Sequence, residues 1–230
     1  ENGLKLGGWV LPVNFRGDEK TYRRDLEELP DYAEIAEELG CRRVFTWILP
    51  FSDELSFDEN FEFHVERLRP VAEILEDHRC HLGLEFVGTR TVRVGHKYEF
   101  IYTMDGVLRL CKAIGTKNLG VLLDSWHWYA TYGTLDQLRK LKGEQVIYVH
   151  INDAPAGISI EEQIDNVRCL PGETGVIDLV GFLKALKEIQ YEGPVTPEPF
   201  SKKLTEMSVT EAVKLTGESL DKVWKEAGLS

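Results

Sequence analysis

The sequence predicts an α/β protein, a (β/α)8 TIM barrel from which the first strand and helix are absent. Two observations carry this: short β-rich runs alternate with helix-period segments along all 230 residues, and four of those runs end in an acid or a histidine. A single domain is expected over residues 1–230. Pro and Gly are scattered rather than gathered into a linker, and 43% hydrophobic content suffices for one substantial core.

Leu4 to Leu11 reads as the first strand, and the helix after it places Leu29, Tyr32, Ala36 and Leu39 on one face before Gly40 stops it. Arg43 to Leu49 is the second strand, followed by a long helix with Leu68, Val71, Ala72 and Leu75 at helical spacing. HLGLEFV (81–87) is the third; Val107, Leu108, Cys111 and Ile114 then mark a helix that ends at Gly115. NLGVLLD (118–124) is the fourth, with Thr134 as N-cap of a short helix carrying Leu135, Leu138 and Leu141. QVIYVHI (145–151) is the fifth. GVID (175–178) reads as a sixth, leading into a helix with Leu179, Phe182, Leu183, Leu186 and Ile189. GPVTPEPF (193–200) closes the series before an amphipathic helix carrying Val213, Leu220, Val223 and Trp224.

Alternation of this kind implies right-handed parallel βαβ units, and about seven of them fit a barrel better than an open doubly wound sheet. An eighth unit needs roughly 30 more residues. A seven-stranded open barrel would expose two unpaired edges. Since the chain opens on Glu1 rather than Met, a missing N-terminal unit is the expectation, and a smaller barrel the alternative.

Composition narrows the partners. A net charge of -12 argues against nucleic acid, which is usually held by a basic face. No apolar run is long enough to cross a bilayer. Cys41, Cys80, Cys111 and Cys169 are far apart, form no CxxC pair and sit mostly in apolar segments, which suits the cytoplasm better than a disulfide framework. A small-molecule partner is expected; a monomer and a homo-oligomer both stay open.

Chemistry in a parallel barrel collects where strands end. Four strands here finish in metal-ligating side chains: Glu85 in LGLEFVG, Asp124 in VLLDSWH, His150 in VIYVHIND and Glu198 in VTPEPF. Taken singly, each acid would serve as a helix cap or loop acceptor, and His150 as a satisfied core histidine. Together they would repel one another or take up protons unless a cation joined them. One divalent ion is therefore expected, and the mixed oxygen and nitrogen set does not choose among Mn²⁺, Mg²⁺, Co²⁺ and Zn²⁺.

GLEFVG, LLDSWH, VHINDAP and NVRCLPGETGVIDL resemble, in order and spacing, the sugar phosphate isomerase and epimerase superfamily with a xylose-isomerase-like barrel, especially its inosose dehydratase and ketose 3-epimerase branches. The resemblance implies Glu85, Asp124, His150 and Glu198 as metal ligands, with His127 and Arg168 holding substrate oxygens beside the ion. It also supports the missing first unit. Glu85 and Glu198 are the candidates for catalytic base and acid, and the resemblance implies that they flank the substrate. A sugar or polyol ketone would lose a proton α to its carbonyl, giving a metal-stabilised enediolate. Proton return makes an isomerase or epimerase; loss of a β-hydroxyl makes an inosose-type dehydratase. A non-catalytic sugar-binding barrel is the third reading. Abasic-site endonucleases, which share the barrel, need an Asp-x-His pair where this chain has Asn166, Val167 and Arg168.

Supporting roles are open to competing readings. His127 donates to substrate or braces the wall, and Arg168 clamps a substrate group or forms a surface ion pair. Trp47, with Trp9, Trp126 and Trp128, lies near a strand end where an indole would wall a sugar pocket or simply pack. His96 and Lys97 belong to a lid or a solvated loop; Glu173 orients Arg168 or begins a turn.

Overall fold

A computed structural model describes residues 3–229. Its elements in chain order are β1 (Trp9–Val10), α1 (Glu19–Glu38), β2 (Arg43–Ile48), β3 (Phe51–Ser52), α2 (Phe57–Asp77), β4 (His81–Phe86), α3 (Arg90–Arg93), β5 (Tyr98–Glu99), α4 (Met104–Ile114), β6 (Leu119–Asp124), α5 (Ser125–Ala130), α6 (Leu135–Arg139), β7 (Val146–Ile151), α7 (Leu179–Glu188), β8 (Val195–Pro197), α8 (Lys202–Thr205) and α9 (Val209–Ala227). Six strands form one parallel sheet in the order β1-β2-β4-β6-β7-β8, while β3 and β5 pair antiparallel as a separate ribbon.

The sheet is curled. Phe45 on β2 and Tyr148 on β7 have two strands between them in the sheet, yet their rings meet at 4.7 Å across its concave side. Nη1 of Arg43 spans the same gap to donate to the Ile147 carbonyl at 2.6 Å. This is the α/β TIM barrel architecture, with β1 and β8 as the two edges of its sheet. Among the described residues, no strand pairs with the outer side of either edge.

Helices cover the convex face through apolar stripes. On α2, Leu68, Val71, Ala72 and Leu75 are all fully buried, and each large side chain of this kind contributes about 1.5–3 kcal/mol. Its start is fixed by a capping box between Ser56 and Glu59. Helix α4 ends at Gly115, whose φ of 90° places it in the left-handed region that glycine adopts without strain. No helix among the described residues is long and apolar enough to cross a membrane.

Several expectations are corrected. The first strand shrinks from Leu4–Leu11 to Trp9–Val10, with Leu4 and Leu6 exposed. GVID is not a strand: Asp153 accepts from the backbone N–H groups of Thr174, Gly175 and Ile177, which holds the segment as a loop. Strand β8 is cut to three residues because Pro194, Pro197 and Pro199 have no N–H to donate to a ladder. On α1 the buried stripe is Tyr22, Asp25, Leu29, Ala33 and Ala36, so Tyr32, read as core, faces solvent. Val213 on α9 is likewise exposed. The four cysteines are free thiols.

A carboxylate cluster at the strand ends

Strand polarity and pleat bring four side chains to one end of the curled sheet. Glu85, Asp124 and His150 sit at or next to the C-terminal ends of β4, β6 and β7, and Glu198 follows β8 by one residue. Asp124 is the register partner of His150, and Glu85 that of Leu122 on one side and Trp47 on the other. One ligand atom from each of the four lies within 4.8 Å of all the others. Glycines beneath the cluster let the strands close in. A Cβ at Gly120 would come 2.4 Å from the Gln145 carbonyl oxygen.

Neighbouring donors set the carboxylates in place. Oδ1 of Asp124 accepts from the Trp126 backbone N–H at 2.7 Å and from Nδ2 of Asn152 at 3.3 Å. Oδ1 of the same Asn152 accepts from the Glu198 backbone N–H at 2.9 Å, so one buried amide braces two of the acids. Nη1 of Arg168 donates to Oδ2 of Asp124 at 2.7 Å and to Oε2 of Glu198 at 3.1 Å. Nδ1 of His150 is 3.4 Å from both Oε1 of Glu85 and Oε2 of Glu198, and its ring is edged by Phe45 and Tyr148.

These neighbours divide the titrations. Burial pushes the Glu85 carboxyl above the ordinary carboxylate range, against the pull of His150. Burial acts the same way on Asp124, but the adjacent Arg168 charge, with His127 and His150, outweighs it and holds the group down at about 2. Burial opposes charge on His150, yet its contacts with Glu198 and Glu85 raise it to about 10. The metal-free cluster thus keeps a proton on His150.

A divalent ion fits this donor set. Oε1 of Glu85 and Nδ1 of His150 are both buried and make no hydrogen bond, which is a costly condition unless a further partner serves them. Three carboxylates and an imidazole can supply that partner's coordination, with His150 giving up its proton.

The remaining side chains singled out in the sequence divide clearly. His127 and Arg168 lie together beside the cluster, with Nε2 of His127 3.4 Å from Nη2 of Arg168. Arg168 is no surface ion pair: its side chain is 1% exposed and its guanidinium stands over the rings of Trp126 and Phe200. Trp47 is half exposed beside Glu85, with the Arg16 guanidinium over its indole at 5.1 Å. Trp9 donates to the Cys41 carbonyl, Trp126 is fully buried, and Trp128 packs on Phe182. His96 stacks on Phe51 and meets Asp53 at 2.9 Å on the β3–β5 ribbon. The backbone N–H of Lys97 donates to the same carboxylate. Glu173 does not orient Arg168. It accepts from the Leu170 N–H and from Lys203, and the residue that holds Arg168 from outside the cluster is Asp165. Asn152, Asp165 and Arg16 were not singled out in the sequence. The run HINDAP offered a cue for Asn152, since a polar residue two positions after a strand-end ligand, just past the strand, is well placed to brace the site.

Comparison with known proteins follows the same lines. The sequence profile of the xylose isomerase-like TIM barrel family matches residues 1–226. A solved xylose isomerase domain protein from Alicyclobacillus acidocaldarius subsp. acidocaldarius is 34% identical and superposes with a TM-score of 0.90, over 98% of this chain and 79% of that one. Inosose isomerase of Bacillus velezensis is 28% identical over 209 residues, 90% of this chain and 70% of that protein. The IOLI protein, whose crystal structure contains a bound zinc atom, is 26% identical with a TM-score of 0.76, over 94% of this chain and 74% of that one.

Proposed function

Because the chain belongs to the xylose isomerase-like TIM barrel family, we propose that it is a divalent-metal-dependent isomerase or epimerase of a sugar or polyol ketone. The observation that carries this reading is the convergence of Glu85, Asp124, His150 and Glu198, with two of their buried ligand atoms making no hydrogen bond. The similarity to an inosose isomerase supports the substrate class, and the zinc in the IOLI protein supports the ion. When bound, a divalent ion supplies a Lewis acid for a substrate carbonyl and its neighbouring hydroxyl.

The chain's own groups then handle protons and orientation. Glu85 is buried and has a raised proton affinity, which suits a carboxylate that takes a proton from the carbon next to a carbonyl. Glu198 carries the more open side chain, 32% exposed, and returns a proton at the other face or the adjacent carbon. Return to the same carbon inverts it; return to the neighbouring carbon moves the carbonyl. His127 and Arg168 orient substrate oxygens, and Trp47 walls the open side. Departure of a β-hydroxyl from the same enediol would make the protein a dehydratase, which product analysis distinguishes.

The test is incubation of the metal-loaded protein with ketoses and inososes in D₂O. Deuterium incorporated at the carbon α to the carbonyl, together with a new isomer, is the expected result. A ketone that binds tightly and gains no deuterium would replace this reading with a sugar-binding barrel.

A further inference from the structure

The backbone favours one position for the hydrogen on His127. The Gly88 N–H points at Nδ1 from 3.2 Å, so Nδ1 presents its lone pair and the neutral ring carries its hydrogen on Nε2. An imidazolium would set N–H against N–H at that contact. The approach depends on glycine, since a Cβ at position 88 would lie 2.5 Å from the His127 carbonyl oxygen.

The other side of the ring then has a donor needing an acceptor. Nε2 faces Nη2 of Arg168 at 3.4 Å and Oδ1 of Asp165 at 3.7 Å. Arginine has only donors, so the first contact sets donor against donor, and the carboxylate is the group that attracts the Nε2–H. At 3.7 Å this is attraction rather than a hydrogen bond, which leaves the N–H free to turn toward a substrate oxygen. Arg168 is gripped harder. Nη2 donates to Oδ1 of Asp165 at 3.1 Å and Nε to its backbone carbonyl at 2.8 Å. The carboxylate is itself fixed by the buried Thr89 hydroxyl, which donates to it at 3.2 Å and accepts from the Trp126 indole at 3.0 Å.

We propose that Asp165 is a positioning residue that aims two donors at one place: it keeps His127 in its Nε2–H form and fixes the plane of the Arg168 guanidinium. A substrate oxygen entering between them meets two oriented N–H groups. The carboxylate touches neither substrate nor ion; it acts through the other two side chains. Only the kinetic arm of its test rests on the proposed isomerase reading.

Nitrogen-15 NMR of the metal-free protein, with the His127 signals assigned by their loss in His127→Gln, reads the tautomer directly. The expected result is an unprotonated Nδ1 and a protonated Nε2. Asp165→Asn, which keeps an acceptor oxygen, retains this form, and Asp165→Leu mixes the tautomers. An Nδ1–H form in the wild type, or no change in Asp165→Leu, overturns the proposal. In kinetics, Asp165→Leu lowers kcat/KM at least about tenfold, Asp165→Asn recovers most of that, and the loss vanishes in a His127→Gln/Arg168→Gln background. A loss of undiminished size in that background makes Asp165 merely structural and also overturns it. If the wild type turns over no ketone, the isomerase reading fails and the NMR result decides alone.

Discussion

Nη1 of Arg168 lies 2.7 Å from Oδ2 of Asp124, and the two side chains are 1% and 0% exposed. A carboxylate so deeply buried stays ionised because this guanidinium stands beside it. Removing the guanidinium strands the charge. Arg168→Met should therefore cost about 3–5 kcal/mol in urea unfolding of the metal-free protein, part of which saturating Zn²⁺ restores. The folded-state proton affinity of Asp124 is depressed from 3.8 to about 2, so its contribution is present above 3.8 and is lost as pH falls through about 2. The variant should lack that acid-range loss.

Ion uptake should depend on pH with a defined sign. His150 is raised from 6.5 to about 10, so its contribution to metal-free stability is complete below 6.5 and lost as pH rises through about 10. An entering ion must displace that proton. Zinc affinity should climb between those two pH values, with proton release visible by calorimetry in buffers of different ionisation enthalpy. Affinity that is flat across the range would exclude His150 as a ligand.

Glu85→Gln and Glu198→Gln keep the shape of the side chains and remove their ability to take protons. Each should lower kcat by a factor on the order of 10²–10⁴ while circular dichroism stays unchanged. Metal content measured on the same samples separates lost proton transfer from lost ion; full activity in either variant would refute its catalytic assignment.

Two glycines should respond in opposite directions. At Gly88 a Cβ would also fall 2.6 Å from Cγ2 of Thr131, so Gly88→Ala should cost about 1–3 kcal/mol and displace His127. At Gly217, inside α9, a Cβ meets nothing within 4 Å, so Gly217→Ala should stabilise by about 0.5–1 kcal/mol. Chemical denaturation of the pair tests the packing independently of any activity.

What the sequence revealed depended on whether a residue's role was written in its own neighbourhood. The strands around Glu85, Asp124 and His150 are apolar runs interrupted by one polar residue at the end, a local pattern that strand polarity converts directly into a site. GVID mimicked that pattern in four residues, and only the buried Asp153 carboxylate, more than 20 positions away, explains why it does not pair as a strand. Asp165 was invisible for a similar reason. It lies in an irregular segment whose polar residues look alike until Thr89, from a different loop, and Arg168 are seen to meet on it. Tyr32 shows the limit of helical periodicity: Leu29 and Ala36 of the predicted face are buried, but Ala33 rather than Tyr32 fills the core between them.

Asn152 carries a consequence beyond the geometry it maintains. Its side-chain amide ties the Asp124 carboxylate to the backbone of Glu198, and the Ser125 hydroxyl, which accepts from the Asn152 N–H and donates to its carbonyl, holds Asn152 in place without any coordination. The four-residue seat is consequently moulded during folding and stands before any ion arrives. Chelation should empty it without unfolding the chain, unlike small domains whose structure collapses when their zinc is withdrawn. Loading and folding become separable events, so the same polypeptide can be stripped, refilled with a different cation and compared as one scaffold.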